Sequence, residues 1–388
     1  MISASDLPLP SRLPDVGATI FSVMSALAAR HQAINLGQGF PDFVCDPALP
    51  AAVAQAMADG HNQYPPMTGW PALRQAIAGK IGSLYGHQYN ADTEITVTAG
   101  ATQALMTALL ALIQPGDEVI VIEPAYDSYI PAIRLAGGVP VLVSMEIGDE
   151  GYRIPWDTVA ARITARTRLL MLNSPHNPTG TVLGKEDIAA LQALLQKHPF
   201  WIVSDEVYEH MVFDGLRHES MAAYTDLAER SLVVSSFGKT YHVTGWKVGY
   251  VAAPAKLMSE FRKVHQYNVF AVNTPMQAGI AAYMQNPEPH LQLSAFYQRK
   301  RDLLRNALAA SRFELLPCSG TYFQCARYAS ISDMSEADFA SWLTREAGVA
   351  AIPVSAFYQD KQQSGVVRFC FAKQDATLEA AADKLKRL

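Results

Sequence analysis

Lys239, Asp205 and Arg368 are the residues of this chain whose settings call for chemistry rather than solvent. Lys239 stands in SSFGKTY, just past an apolar run. Alone, such a lysine is more often a solvated loop residue, and the phosphate-loop pattern GxxxxGK[ST] is absent. Where burial and neighbouring cations lower its pKa, however, its amine is free to condense with an aldehyde. Asp205 follows the apolar WIVS and opens DEVYEH. A helix N-cap is its ordinary meaning; the chemical alternative is a buried carboxylate that keeps a pyridine nitrogen protonated. Tyr208, three residues on, reads as a half-buried aromatic or as a phenol reaching the same ligand. Arg368 lies inside the apolar SGVVRFCFA, where an unpaired charge costs several kcal/mol. It either pairs with an acidic residue or grips a carboxylate with its planar fork.

Weaker signals surround these three. Asn177, in NSPHNPTG, sits in a loop broken by prolines and could be no more than a turn. Following a buried strand, it could instead present an amide to a ligand oxygen. TAGATQAL offers Gly100, Ala101 and Thr102 at a strand-to-helix junction, either a plain helix cap or an anion cradle of backbone N–H groups. Ser236 and Lys247, on either side of Lys239, could add a hydroxyl and a cation to the same anion. Tyr126, in EPAYDSY, is a core aromatic or a flat ring suited to stacking.

Positioning these groups falls to an α/β region. From about Ile95 to Ala253, short β-branched runs alternate with helical patterns, the mark of a sheet joined by crossover helices. The runs predict strands over Ile95–Thr98, Glu118–Ile122, Val139–Ser144, Arg168–Leu172, Trp201–Ser204, Leu232–Ser235 and Val248–Ala252. Several are apolar on both faces, so helices should cover both sides of the sheet. Each polar cluster begins where one of these runs ends, the edge at which open α/β sheets bind ligands. After about Pro275 longer helices and a few strands, among them Gly320–Cys325 and Val366–Phe371, suggest a second domain that recruits the N-terminal segment. The expected division is 1–44 as an N-terminal arm and part of a small domain, 45–275 as a large ligand-binding domain and 276–388 as a small α+β domain.

Bulk properties exclude other classes. Charged residues are 17% of the 388, the net charge is −5, and no basic block stands out, so nucleic acid is not expected as a partner. Cys45, Cys318, Cys325 and Cys370 form no CxxC pair and read as reduced thiols without a metal. Prolines break the first fourteen residues where a signal peptide needs an apolar run, and the apolar stretch 104–113 is too short to span a bilayer. A cytoplasmic location and no membrane partner are expected.

Taken in order, NLGQGFPDF (35–43), NQYPPMTGWPALR (62–74), TAGATQAL, EPAYDSY, NSPHNPTG, SDEVYEH, SSFGKTYHVTGWKVGY and VVRFCFA resemble the class I/II aminotransferases of fold type I over nearly the whole chain. Within them the chain looks most similar to methionine and kynurenine/glutamine aminotransferases, mainly through the first motif and GKTYHVTGWKVGY. The resemblance implies a mostly parallel seven-stranded sheet, pyridoxal 5′-phosphate as cofactor, and a homodimer with active sites at the subunit interface. It implies that Lys239 forms the Schiff base, Asp205 meets the ring nitrogen, Tyr208 and Asn177 meet the 3-oxygen, and Tyr126 stacks on the ring. Gly100, Ala101, Thr102, Ser236 and Lys247 would hold the phosphate with Tyr64 from the second subunit. Arg368, Asn177 and the Gly39 backbone would take the substrate carboxylate, and Phe21 with a neighbouring subunit's Phe270 would line an apolar side-chain pocket. One departure is Lys247, where many relatives carry arginine; the charge remains but the fork is lost.

The activity so implied moves the amino group of a large neutral amino acid, such as methionine or an aromatic one, to a 2-oxo acid by ping-pong kinetics. A β C–S lyase or decarboxylase on the same scaffold is the nearest alternative. A cofactor-sensing DNA-binding regulator would need an extension for which the approximately 30 residues ahead of NLGQGF leave no room. A dinucleotide-dependent dehydrogenase would need a GxGxxG after the first strand, and none is there.

Overall fold

The computed structural model describes residues 9–388. The first eight residues of the expected N-terminal arm, with most of the segment read against a signal peptide, lie outside them. Seven strands form the main sheet: β1 (Ile95–Thr98), β2 (Glu118–Glu123), β3 (Val139–Ser144), β4 (Thr167–Asn173), β5 (Trp201–Asp205), β6 (Ser231–Ser236) and β7 (Gly249–Ala252). Their order across the sheet is β1-β7-β6-β5-β4-β2-β3, and only β7 runs antiparallel to its neighbours. Because β7 is reversed, its start lies on the same edge as the ends of the other six strands.

Alternation along the strands builds a core on each face. Val119, Val121, Leu169, Met171, Val203 and Val234 face Ala104, Leu105, Ala108 and Leu109 of the helix Gly100–Leu112 and Met258 and Phe261 of the helix Ala255–Asn268. Ile120, Ile122, Leu170, Leu172, Ile202 and Val233 point the other way, onto Ile188, Leu191, Leu194 and Leu195 of the helix Lys185–Lys197. The expected strands are all present. Most extend a residue further than expected, and β7 starts one residue later, at Gly249.

A second, four-stranded antiparallel sheet is formed by β8 (Glu314–Leu315), β9 (Phe323–Arg327), β10 (Ile352–Pro353) and β11 (Val366–Cys370), in the order β8-β9-β11-β10. The strand expected from Gly320 starts only at Phe323, because Thr321 adopts φ +66° and turns the chain. Gly320 makes only an isolated bridge to Val212, and a Cβ there would sit 2.7 Å from Pro175. Arg368 lies on the inner strand β11, paired to Cys325 on one side and Ile352 on the other. The N-terminal segment joins this second sheet's surroundings: Ile34–Asn35 pairs in parallel with Val349–Ala350, which delivers residues 37–40 to the edge of the main sheet.

Behind the β5 turn, Lys80 Nζ and Glu209 Oε1 form a buried ion pair at 2.6 Å. Tyr85 and Ser235 also donate to Glu209, at 2.7 and 2.6 Å. Removing one partner of such a pair leaves the other charge buried and unpaired. Glu209→Ala should therefore lower unfolding stability in denaturant titration by about 3–5 kcal/mol, whereas the double change Lys80→Met, Glu209→Leu should cost much less. Equal losses in the single and double variants would show that packing alone matters there.

Candidate active site

The carboxyl ends of β1, β2, β4, β5 and β6 open into a cavity of about 240 Å³. Gly100, Ala101 and Thr102 follow β1; Tyr126 follows β2; Asn177 follows β4; Asp205 ends β5, with Tyr208 in the turn beyond it; Ser236 ends β6, with Lys239 one helical turn on. Lys247, ahead of β7, closes the same wall. Phe21 and Gly39 enter from the N-terminal segment and Arg368 from β11. Of the residues singled out from sequence, Tyr64 and Phe270 alone do not line this cavity. They sit together elsewhere, ring centroids 5.2 Å apart, and are 81% and 39% exposed.

Asp205 caps no helix, since β5 gives way to a turn. Its Oδ2 accepts from Tyr129 Oη at 2.6 Å and its Oδ1 from the Val207 N–H at 3.4 Å. Burial pushes its carboxyl up to about 6, against the pull of those two donors. Lys239 moves the other way. Burial pushes its ammonium down to about 8, and the charges of Arg368 and Lys247 act in the same sense, so a share of free amine exists near neutrality. Its Nζ donates to Tyr322 Oη at 2.8 Å and to the Gly39 carbonyl at 3.4 Å.

Arg368 is fully buried and forms no ion pair among the described residues, although its charge reaches the half-buried Asp127 carboxyl. Its Nη1 donates to Asn177 Oδ1 at 2.6 Å, its Nη2 to the Gly37 carbonyl at 3.1 Å, and its Nε has no partner among the described residues. The guanidinium rests 3.7 Å from the centre of the Phe323 ring. Asn177 is held in turn, its N–H donating to Asn173 Oδ1 at 2.8 Å. With its carbonyl oxygen given to Arg368, the Asn177 amide nitrogen remains available to a ligand.

Several lining residues escaped the sequence reading: Tyr129, Asn173, Gln38, Leu105, Val207, Thr244 and Phe323. Tyr129 and Asn173 stand at the ends of two motifs already singled out, EPAYDSY and NSPHNPTG, and proximity to Tyr126 and Asn177 was the available signal.

A sheet of this order, with a part-buried lysine and a buried aspartate and arginine converging on one cavity, suits a cofactor-dependent group-transfer enzyme. The chain belongs to the class I and II aminotransferases, whose family profile matches residues 31–385. It is a fold type I, pyridoxal-phosphate-dependent aminotransferase. The methionine aminotransferase of Escherichia coli K12 is 52% identical over 97% of this chain and 98% of its own length. A solved E. coli structure whose reactivity identified a methionine aminotransferase function superposes with a TM-score of 0.96 at 51% identity, covering 98% of this chain and all of that one. The kynurenine–oxoglutarate transaminase of Dictyostelium discoideum is 35% identical over 96% of this chain and 94% of its own length.

The cavity fits that cofactor. No side chain caps the helix Gly100–Leu112, so its first N–H groups face the cavity unclaimed. Lys247 makes no hydrogen bond or ion pair among the described residues, and a Cβ at Gly100 would stand 3.3 Å from its Nζ. An uncapped helix start beside an unpaired cation suits a phosphate, and Asp205 and Lys239 offer a carboxyl and an amine in the same cavity.

Proposed function

We propose that this enzyme transfers the amino group of large neutral amino acids, methionine and the aromatic ones, to a 2-oxo acid, and works as a cytoplasmic homodimer. The single observation that carries the substrate reading is the buried Arg368 fork, whose unpartnered Nε lies among the rings of Phe21, Phe323 and Phe357. A carboxylate is what that fork lacks, and an apolar side chain is what those rings accept. The aromatic pair Tyr64 and Phe270, exposed on one protomer, supports a subunit interface, across which Tyr64 of the partner subunit would reach the phosphate and Phe270 of the partner subunit the substrate side chain. Four unpaired cysteines suit a reducing compartment. The proposed division is 1–44, 45–275 and 276–388, supported by the pairing of Ile34–Asn35 with Val349–Ala350 beside the second sheet.

The roles implied by the family resemblance are supported by the way these side chains line one cavity. Pyridoxal phosphate supplies the carbonyl that takes up the amino group and a ring that withdraws the electron pair left when the α C–H bond breaks. Gly100, Ala101 and Thr102 with Ser236 and Lys247 would hold its phosphate, Tyr126 would pack on the ring, and Tyr208 and the free Asn177 amide would donate to the 3-oxygen. Burial also pushes the Tyr208 phenol up, so it stays a neutral donor. The Asp205 carboxylate holds a proton at the ring nitrogen. Arg368, steadied by Asn177, fixes the substrate carboxylate beside the Gly39 backbone and orients the α-carbon. Lys239 Nζ, as free amine, takes the α-proton and returns it one position away.

Absorbance-monitored half-reactions with methionine, phenylalanine and aspartate test the substrate reading. Methionine and phenylalanine should exceed aspartate by about 100-fold in kcat/KM, since a second carboxylate would be buried among rings without a cation. Aspartate outperforming methionine would sink it. Oxo-acid formation from methionine, without pyruvate and thiol release from cystathionine, separates transfer from C–S cleavage.

A further inference from the structure

We propose that Tyr322 is a further catalytic residue, a fixed phenol that aims the free amine of Lys239 and steadies the proton it carries. The inference rests on Lys239 being the reacting amine, and it concerns a residue outside the motifs that point to the cofactor. Lys239 Nζ donates to Tyr322 Oη at 2.8 Å, while Tyr322 Oη donates to the Gly39 carbonyl, which also accepts from Lys239 at 3.4 Å. These three groups close a triangle across segments remote in sequence: the loop after Asn35, the turn after β6 and the residue just ahead of β9.

The phenol is well made for this. It is 1% exposed, and its ring is held edge-on by Tyr208 at 5.1 Å and Phe323 at 4.8 Å. Burial keeps it protonated, so it neither titrates nor competes as an acid. With its own proton committed to Gly39, its lone pairs face Lys239. An N–H of the amine bonds there, which fixes how the nitrogen lone pair points about the terminal C–N bond. When the lone pair takes the α-proton, the C–H pair stays with the carbon skeleton and Nζ becomes an ammonium. The ammonium donates to the same oxygen more strongly than the neutral amine did. Tyr322 thereby raises the proton affinity of Nζ in a cavity where burial, Arg368 and Lys247 depress it while Cys370 and Asp205 act the other way.

Tyr322→Phe removes one hydroxyl from this triangle. Tyr297→Phe is the matched control: its ring lies 5.7 Å from that of Tyr322, it is equally buried, and its hydroxyl has no partner among the described residues. Both holoenzymes would be compared with wild type in kcat and KM for methionine, in single turnovers with α-deuterated methionine, and across pH. For Tyr322→Phe the expected result is a kcat about 10–100-fold lower, KM within about threefold, and a larger primary isotope effect, because proton transfer loses its aim. The ascending limb of kcat should move to lower pH, because the amine has lost an acceptor that favoured its charged form. Tyr297→Phe should leave all four unchanged. The proposal is overturned if Tyr322→Phe keeps wild-type kcat, isotope effect and limb, or if both variants fall alike, which would make the role one of packing. Should Tyr322→Phe not fold, 3,5-difluorotyrosine at 322 keeps the shape and weakens the acceptor; an unchanged isotope effect there would likewise overturn it. Failure of the Lys239 reading is distinct: borohydride would then leave no adduct on the wild-type peptide bearing Lys239.

Discussion

Lys239→Ala is expected to lower kcat by about 10⁴-fold or more while leaving the fold and the cavity in place. The side chain ends on Tyr322 and Gly39 at the cavity wall and joins neither ion pair nor core layer, so its loss costs little packing. The chemical loss is double. The amine that anchors the cofactor goes, and with it the base that moves the α-proton. Two measurements check it: purified variant loaded with pyridoxal phosphate should yield no borohydride-stable adduct on the peptide around 239, and single turnovers with methionine should slow by the same factor as kcat. A variant within tenfold of wild type would place the base elsewhere in the cavity, and Tyr208 would be the next group to change.

Much of this arrangement is readable in the chain because buried parallel strands write themselves plainly. Val119 to Ile122 and Leu169 to Leu172 are apolar at every position, which only a sheet covered on both faces accepts. Polar residues directly after such runs have one place to go, the carboxyl edge. Lys239, Asp205 and Asn177 were legible for that reason, and Arg368 because a guanidinium inside an apolar run must meet an anion. Contacts between distant segments were not. Tyr129 meets Asp205 across 76 residues, and Tyr322 meets Lys239 across 83, through single hydroxyls that leave no periodicity. The start of β9 was misplaced because Thr321 takes a left-handed conformation that its residue type does not advertise. Tyr64 and Phe270 do not line the cavity that holds Lys239, and neither residue type announces where its ring is used.

Asp205 yields the second large effect, and its two halves have opposite signs. Asp205→Asn should lower kcat by about 10²–10³-fold, because a neutral amide no longer holds the ring nitrogen's proton and the developing carbanion loses its compensating charge. The same change should stabilise the cofactor-free protein above pH 6. The folded carboxyl, lifted by burial to about 6, lies above its ordinary 3.8, so the folded protein holds that proton more tightly than the unfolded chain. The stability gained from this is complete below pH 3.8 and is lost as pH rises through 6. An asparagine never ionises, can still accept from Tyr129, and keeps what the aspartate gives up, about 3 kcal/mol at pH 8 and nothing near pH 3.5. Denaturant titrations of both cofactor-free proteins across pH, beside turnover of the loaded ones, would read this crossing. A variant no more stable than wild type at pH 8 would mean that the buried carboxylate is already compensated by the protein alone. Asp205 would then owe nothing to a cationic ring. If the crossing appears, the aspartate is a charge buried at a loss and held for a positive partner that arrives with the cofactor.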